Sequence, residues 1–313
     1  MTIKNKLLVA NDFHPETIRI LDEQYETYHL WNYSDHESSN LLSSLDGECY
    51  AVATASWIFD SSIYSIHSLQ FISCFGVGVD AIDFHTTKKQ DIRVTNTPDV
   101  LNDSVADIAL ALILATTRGI VSADKFVRSK QWLIGSFPFG QSLLNKTLGI
   151  VGFGRIGEQI AKRAQAFGMQ ICYHNRKPKD LPFPYHPSIP DLAAASDILL
   201  CMLPGGEGTR NAIDADVFRA LGPSGIFLNV GRGSSVDEAA LVSALTEKTI
   251  FAAGLDVYAD EPNVPEPLLT MDNVVLLPHI GSATVETRRA MGQLVIDNLE
   301  AFFAGKPLLT EVD

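Results

Sequence analysis

Residues 148–157 read Leu148-Gly149-Ile150-Val151-Gly152-Phe153-Gly154-Arg155-Ile156-Gly157, an apolar strand that runs into Gly-x-Gly-x-x-Gly and on into a helix. Three glycines at this spacing mean little alone, because glycine turns are common. The strand before them and the helix after them supply the meaning. Gly152 permits the tight turn, Gly154 lets the backbone approach a pyrophosphate, and Gly157 lets the helix pack close to the strand. The free N–H groups and dipole at the helix start favour the pyrophosphate's negative charge. The stretch reads as a dinucleotide loop, and that reading fixes the class as α/β.

From this loop the alternation of apolar runs with helix-compatible stretches extends both ways. Downstream, strands are expected at 147–151, 170–174, 198–202, 225–230, 250–254 and 274–277, with helices at 155–167, near 191–195, at 214–221 and at 237–247. Upstream, strands at 7–10, 27–30, 50–53, 71–74 and 93–95 are separated by stretches such as 15–25 and 61–67. This alternation marks parallel sheets with crossover helices. After Pro98, residues 99–118 read as one buried helix, a candidate spine between domains, since Val105, Ile108, Ala109, Leu112 and Ile113 make it apolar nearly all round. A last long helix, 283–303, ends at Gly305 and Pro307. At 313 residues the chain is expected to form two doubly wound parallel-sheet, Rossmann-like domains. Residues 1–98 and 285–313 make the first, and the nucleotide-binding domain, 99–284, is inserted into it.

Apolar residues are 46% and charged residues 19%, which excludes a disordered or fibrous chain. Lys plus Arg is 24 against 37 Asp plus Glu, so the formal net charge is −13. Such a surface repels phosphate backbones and anionic lipid, so no nucleic acid and no membrane is expected as a partner. A site for an anionic ligand must then supply its own positive groups. No apolar run approaches the roughly 18 residues of a membrane span, and the apolar run 7–10 behind Lys4 and Lys6 is too short for a secretory leader. Cys49, Cys74, Cys172 and Cys201 are scattered, with no disulfide or metal-site spacing. They read as small apolar residues in a reducing compartment; no metal and a cytoplasmic location are expected.

The strand at 170–174 leads into Asn175-Arg176-Lys177. An NAD-preferring site has an acidic residue near this point, to accept hydrogen bonds from the ribose. Here, 18 residues after Gly157, the position reads as Asn175, with Arg176, Lys177 and Lys179 behind it. An amide does not repel a 2′-phosphate, and a guanidinium can clasp one. NADP(H) is therefore expected over NAD(H), the alternative being a solvated basic turn unrelated to any cofactor.

Three further polar residues stand at strand ends, where open α/β sheets bind their ligands. Arg232 lies in Val230-Gly231-Arg232-Gly233, its flanking glycines expected to leave the side chain unobstructed for a bidentate grip on a carboxylate. Glu261 lies in Tyr258-Ala259-Asp260-Glu261-Pro262, and His279 in Leu277-Pro278-His279-Ile280-Gly281. Singly, each could be a surface charge or a turn residue. Together they make an anion clamp, a carboxylate and a titratable imidazole, a set suited to reducing a carbonyl next to a carboxylate.

With Phe75-Gly76-Val77-Gly78-Val79-Asp80-Ala81-Ile82-Asp83 and Val94-Thr95-Asn96-Thr97-Pro98, these stretches resemble the D-isomer-specific 2-hydroxyacid dehydrogenase family over nearly the whole chain. The branch most resembled is that of the glyoxylate/hydroxypyruvate reductases. The resemblance implies that Arg232, Glu261 and His279 are catalytic. It implies cofactor contacts at Gly152, Phe153, Gly154, Arg155, Ile156, Asn175, Arg176, Leu203, Pro204, Val230, Gly231, Asp256 and Gly281, with Asp256 on the nicotinamide carboxamide. It also implies substrate contacts at Val77, Gly78, Trp57 and Trp132 beside Arg232 and His279, and a homodimer in which the Trp132 loop reaches the partner's pocket, the alternative being that Trp132 is an ordinary aromatic of the dimer interface. Two stretches depart from the family pattern. Trp57 stands where small residues are usual, which bears on the keto acid, and Pro204-Gly205-Gly206-Glu207-Gly208-Thr209 replaces a threonine-rich turn on the adenine side.

The expected reaction is NADPH-dependent reduction of a small 2-keto acid of the glyoxylate or hydroxypyruvate type. Arg232 and the N–H groups of Val77 and Gly78 hold the carboxylate, Arg232 polarises the keto oxygen, and His279 gives it a proton. Glu261 orients the imidazole and raises its pKa. A nucleotide-sensing, co-regulator-like binding protein is the alternative from another class. A phosphoglycerate-type dehydrogenase is a third reading, against which the basic turn at Arg176 speaks.

Overall fold

The structure, a computed structural model, describes residues 4–55 and 57–312. The chain divides into two compact units, Met1–Leu101 with Thr284–Asp313, and Asn102–Ala283.

The first unit holds strands β1 (Lys6–Val9), β2 (Glu26–His29), β3 (Cys49–Ala55), β4 (Phe71–Phe75), β5 (Arg93–Thr95) and, from the far end of the chain, β12 (Glu311–Val312). Their order is β2-β1-β3-β4-β5-β12, parallel throughout except that β12 runs antiparallel to β5 with Glu311 opposite Thr95. The central strands are buried on both faces, as a sheet covered by crossover helices requires. Leu7, Leu8, Val52, Phe71, Ile72 and Phe75 have no exposed surface, each worth about 1.5–3 kcal/mol of burial. Helix Pro15–Gln24 starts with proline in its first turn and buries Ile18 and Leu21. Helix Asp35–Leu45 starts at a Ser34/Glu37 capping box. The 61–67 stretch gives only a 3-10 segment, Ser61–Ser65, started by the Asp60 carboxylate on the Ser62 N–H.

Strand β12 was not legible beforehand. It is placed by Asn298, fully buried in helix Val285–Phe303, whose Oδ1 accepts the Leu309 N–H at 2.9 Å and whose Nδ2 donates to Thr310 Oγ1 at 3.0 Å.

The second unit holds β6 (Thr147–Val151), β7 (Gln170–His174), β8 (Ile198–Cys201), β9 (Ile226–Asn229), β10 (Ala252–Leu255) and β11 (Val274–Leu276), in the order β7-β6-β8-β9-β10-β11, all parallel. The order reverses at β6, with β7 on one side and β8 on the other, which opens a crevice at the carboxyl ends of the strands. The core packs Leu199, Phe218, Phe227, Leu241, Leu245 and Ile250. The helix expected from Asp99 begins at Asn102, because Asp99 takes φ 68° after Pro98. It ends at Arg118, where Gly119 at φ 59° turns the chain into a second helix, Ile120–Arg128. Among the described residues no single helix is long and apolar enough to cross a bilayer. The four cysteines are buried and carry no disulfide, and burial pushes the Cys74 thiol up to about 12.

Candidate active site

The site is built at the carboxyl ends of the second unit's strands. After β6, Gly152 turns the chain at φ 91°, a conformation that L side chains rarely adopt. A Cβ at Gly154 would meet nothing within 4 Å, and no side chain caps the N-terminus of helix Arg155–Ala166. Open space at the start of a helix is what a pyrophosphate needs. At Gly157 a Cβ would sit 3.5 Å from the Phe153 ring, an ordinary contact, so the packing there does not by itself demand glycine.

Asn175 is also not placed as a simple ribose acceptor. Its Oδ1 accepts the Phe153 N–H at 2.7 Å and its Nδ2 donates to the Phe153 carbonyl at 3.1 Å, so the carboxamide clamps the glycine loop to the end of β7. Behind it, Tyr173 shapes the basic turn, its hydroxyl donating to the Lys179 carbonyl at 2.9 Å and accepting the Lys179 N–H at 3.0 Å. Arg176, Lys177 and Lys179 are exposed and have no acidic partner among the described residues. These features together fit a bound dinucleotide.

Arg232, Glu261 and His279 follow β9, β10 and β11, three neighbouring strands. The glycines around Arg232 serve the backbone more than its side chain. A Cβ at Gly231 would lie 2.6 Å from the Leu203 carbonyl oxygen, and one at Gly233 would lie 1.8 Å from the Tyr258 carbonyl carbon. Only glycine lets the turn pass between the 203 and 258 loops. Asn229, buried and not foreseen, braces that turn by accepting the Gly231 N–H and donating to the Arg232 carbonyl, both at 3.0 Å. Its signal was the Asn-x-Gly spacing at the strand end.

His279 Nδ1 lies 2.7 Å from Glu261 Oε2, and Glu261 Oε1 accepts the Tyr258 N–H at 3.0 Å. Burial alone would raise the Glu261 carboxyl. The hydrogen bonds from His279 and Tyr258, with the charges of His279 and Arg232, outweigh it and hold the group below its ordinary value. Glu238, also unforeseen, accepts the Ala259 N–H at 2.9 Å in the same loop. Burial raises its carboxyl, opposed by that N–H and helped by the charges of Asp260 and Glu261.

Asp256 has a structural part that the sequence did not show. It is buried, and its two oxygens accept the Ile280 and Gly281 N–H groups at 2.8 Å each, while its carbonyl accepts the His279 N–H at 2.8 Å. His279 stands at φ 52°, a costly conformation for a non-glycine residue. Asp256 is thus the brace that holds the histidine turn. Burial raises its carboxyl, and the two amides and the His279 charge only partly oppose this.

The other expected residues fall as follows. Leu203 is partly exposed and Pro204 exposed after β8, Val230 is buried after β9, and Gly281 lies against the Asp256 carboxylate. Val77 and Gly78 lie in the first unit after β4, and their N–H groups donate to nothing among the described residues. Asn96 Nδ2 pins this turn at the Val77 carbonyl, 2.7 Å away. Trp57 is exposed after β3 in the same unit. Trp132 is exposed in the segment Gln131–Leu133, beside exposed Leu133, Ile134 and Phe139.

Comparison with known proteins agrees with this geometry. Residues 110–281 match the family of the D-isomer specific 2-hydroxyacid dehydrogenase, NAD binding domain. Glyoxylate/hydroxypyruvate reductase A of Arabidopsis thaliana is 46% identical over 295 residues, 93% of this chain and 94% of that one. The 2-ketogluconate reductase of Gluconobacter oxydans is 45% identical over 249 residues, 79% and 80% of the two chains. The crystal structure of an NADPH-dependent glyoxylate/hydroxypyruvate reductase from Sinorhizobium meliloti, in complex with NADP and malonate, is 42% identical with a TM-score of 0.91, over 99% of this chain and 97% of that one. The chain thus belongs to the D-isomer specific 2-hydroxyacid dehydrogenase family, in its glyoxylate/hydroxypyruvate reductase branch, and is an NAD(P)-dependent oxidoreductase acting on CH–OH groups.

Proposed function

We propose that this protein is a cytoplasmic, homodimeric reductase of small 2-keto acids of the glyoxylate and hydroxypyruvate type, and that it prefers NADPH. The observation that carries the reading is the 2.7 Å Glu261–His279 hydrogen bond, with Arg232 at the end of the adjacent strand system. A bound nicotinamide dinucleotide supplies the hydride. The chain's own residues do the rest. Arg232 offers a planar fork to the carboxylate and keto oxygen and stabilises the negative charge that develops on that oxygen. His279 delivers a proton to the same oxygen, and Glu261 fixes the ring through Nδ1. Asp256 keeps the histidine turn in its strained shape. Val77 and Gly78 are assigned to the carboxylate, a reading supported by N–H groups that donate to nothing among the described residues.

The cofactor preference is supported by the uncharged Asn175, by the basic turn at Arg176, which has no acidic partner among the described residues, and by the NADP-bound Sinorhizobium meliloti relative. The dimer is supported by an apolar strip, Ile120, Val121, Val127, Trp132, Leu133, Ile134 and Phe139, that the chain leaves exposed. The test is kcat/KM for a panel of 2-keto acids with NADPH and with NADH. Turnover of glyoxylate or hydroxypyruvate, faster with NADPH, is expected. No turnover of any 2-keto acid with either cofactor would sink the enzyme reading and favour a nucleotide-sensing binding protein.

A further inference from the structure

Within the second unit, the turn that follows β7 is fastened at both ends by tyrosine hydroxyls. Tyr173 is buried in β7, and its hydroxyl donates to the Lys179 carbonyl at 2.9 Å while accepting the Lys179 N–H at 3.0 Å. One oxygen thus holds both polar backbone groups of one residue at the far end of the turn. At the near end the Tyr185 hydroxyl donates to the Asn175 carbonyl at 3.3 Å, and the Asn175 carboxamide is itself fixed to the Phe153 peptide. Tyr185 is held in its turn along β7. The Tyr173 N–H donates to the Pro184 carbonyl at 3.0 Å, the His186 N–H donates to the Tyr173 carbonyl at 2.9 Å, and the two tyrosine rings lie 5.5 Å apart.

Between the two ties lie Arg176, Lys177 and Pro178, all exposed. Closing this turn does nothing for its own packing, and it gathers cations that repel one another and have no acidic partner among the described residues. Pro178 removes further freedom, because its ring fixes φ. Ordering a backbone segment costs conformational entropy. In a turn already tied, that entropy is lost on folding and not on binding, so a ligand that needs the closed shape binds more tightly. The ligand that needs it is a dianion able to reach several cations at once.

We propose that Tyr173, assisted by Tyr185, sets the cofactor preference by pre-organising the 175–179 turn, so that Arg176 and the neighbouring lysines meet the 2′-phosphate of NADPH already in place. Tyr173 is a positioning residue, acting on Arg176 through the backbone at Lys179. This rests on the NADPH preference proposed above. NADH draws nothing from the basic side chains, so the effect is confined to ligands that carry the 2′-phosphate.

The experiment measures dissociation constants of NADPH, NADH and 2′,5′-ADP at one salt concentration, with thermal unfolding alongside. The proteins are the parent, Tyr173→Phe, Tyr185→Phe, Arg176→Ala and the Tyr173→Phe, Arg176→Ala double variant. Phenylalanine keeps the buried ring, 5.4 Å from that of Phe153, and frees backbone groups only at exposed Lys179, where water replaces the lost bonds. Tyr173→Phe should weaken NADPH and 2′,5′-ADP roughly 5–30-fold, the range of one to two hydrogen bonds, and NADH less than about twofold. Tyr185→Phe loses one longer bond and should act in the same direction by less. In the Arg176→Ala background Tyr173→Phe should add much less than it does alone, because the group it positions is gone. Equal losses for NADPH and NADH, unchanged NADPH affinity in both tyrosine variants, or full multiplication of the Tyr173 and Arg176 losses would overturn the proposal. If any of these occurs in a parent that prefers NADPH, only this proposal fails. If the parent prefers NADH, the cofactor reading fails and this falls with it.

Discussion

The Asn175 carboxamide grips the peptide of Phe153 from both sides, accepting its N–H at 2.7 Å and donating to its carbonyl at 3.1 Å. The residue at the ribose position is therefore also the fastener of the glycine loop. Asn175→Asp keeps the acceptor, loses the donor and turns a carboxylate oxygen toward the Phe153 carbonyl. One lost hydrogen bond of about 1 kcal/mol should weaken NADH roughly fivefold through loop loosening. NADPH should weaken further, because the new charge also faces the 2′-phosphate. Dissociation constants of both cofactors at one salt concentration check this. A gain in NADH affinity would show that the clamp is dispensable.

Arg176→Ala should act on one cofactor only. Its side chain is exposed and has no partner among the described residues, so its removal disturbs no other contact. Loss of one charge-assisted bond to the 2′-phosphate should weaken NADPH roughly 10–100-fold. NADH should hardly change. Equal losses for both, or a parent that prefers NADH, would mean that the basic turn is only solvated surface.

The glycine loop was legible because its signals are local: an apolar strand, three spaced glycines and a helix within ten residues. Arg232, Glu261 and His279 were legible for a similar reason, each closing an apolar run. The braces behind them were not. Asp256 meets Ile280 and Gly281 across more than twenty residues of chain, and nothing near it in sequence tells a brace from a cofactor ligand. The two-residue strand at Glu311 depends on Asn298 in the same way. Tyr173 reads as one more residue of an apolar strand until its hydroxyl is seen on the Lys179 backbone.

The Asp256 brace makes a prediction that separates its two roles. In Asp256→Asn one of the two amide acceptors becomes a donor, facing either Ile280 or Gly281. The His279 turn, costly at φ 52°, should relax. We expect kcat to fall at least tenfold while NADPH binding changes less than threefold. If NADPH affinity falls in step with kcat, Asp256 serves mainly as a cofactor ligand.

His279→Gln removes the proton donor, and kcat should drop roughly 10²–10⁴-fold with cofactor binding retained. Glu261→Gln should also lower kcat, since the imidazole loses the carboxylate that fixes it through Nδ1. The Glu261 carboxyl lies below its ordinary value of 4.5 in the folded protein. Its contribution to stability is therefore present above about pH 4.5 and is lost as pH falls through the lowered value. Glu261→Gln should abolish that acid-side loss, read from unfolding midpoints between pH 3 and 6 (roughly one unit either side of the ordinary carboxylate range). An unchanged kcat in Glu261→Gln would show that the pair does not position the proton donor.

The apolar strip around Trp132 bears on assembly. Helix Ile120–Arg128 buries none of its residues, and Trp132, Leu133, Ile134 and Phe139 remain exposed beyond it. A monomer rarely leaves so many large apolar side chains of one short stretch in water, whereas a homodimer interface can cover them. Sedimentation velocity should find the parent a dimer, and the double change Leu133→Glu with Ile134→Glu should shift it to monomer, because two like charges would face their own copies across a two-fold axis. Trp132→Ala asks a finer question. If the loop reaches the partner's substrate pocket, this variant should stay dimeric yet change its relative kcat/KM among glyoxylate, pyruvate and hydroxypyruvate. If Trp132 only fills the interface, the dimer should weaken and the substrate ranking should hold. A monomeric parent would remove both readings, and the strip would then need another partner.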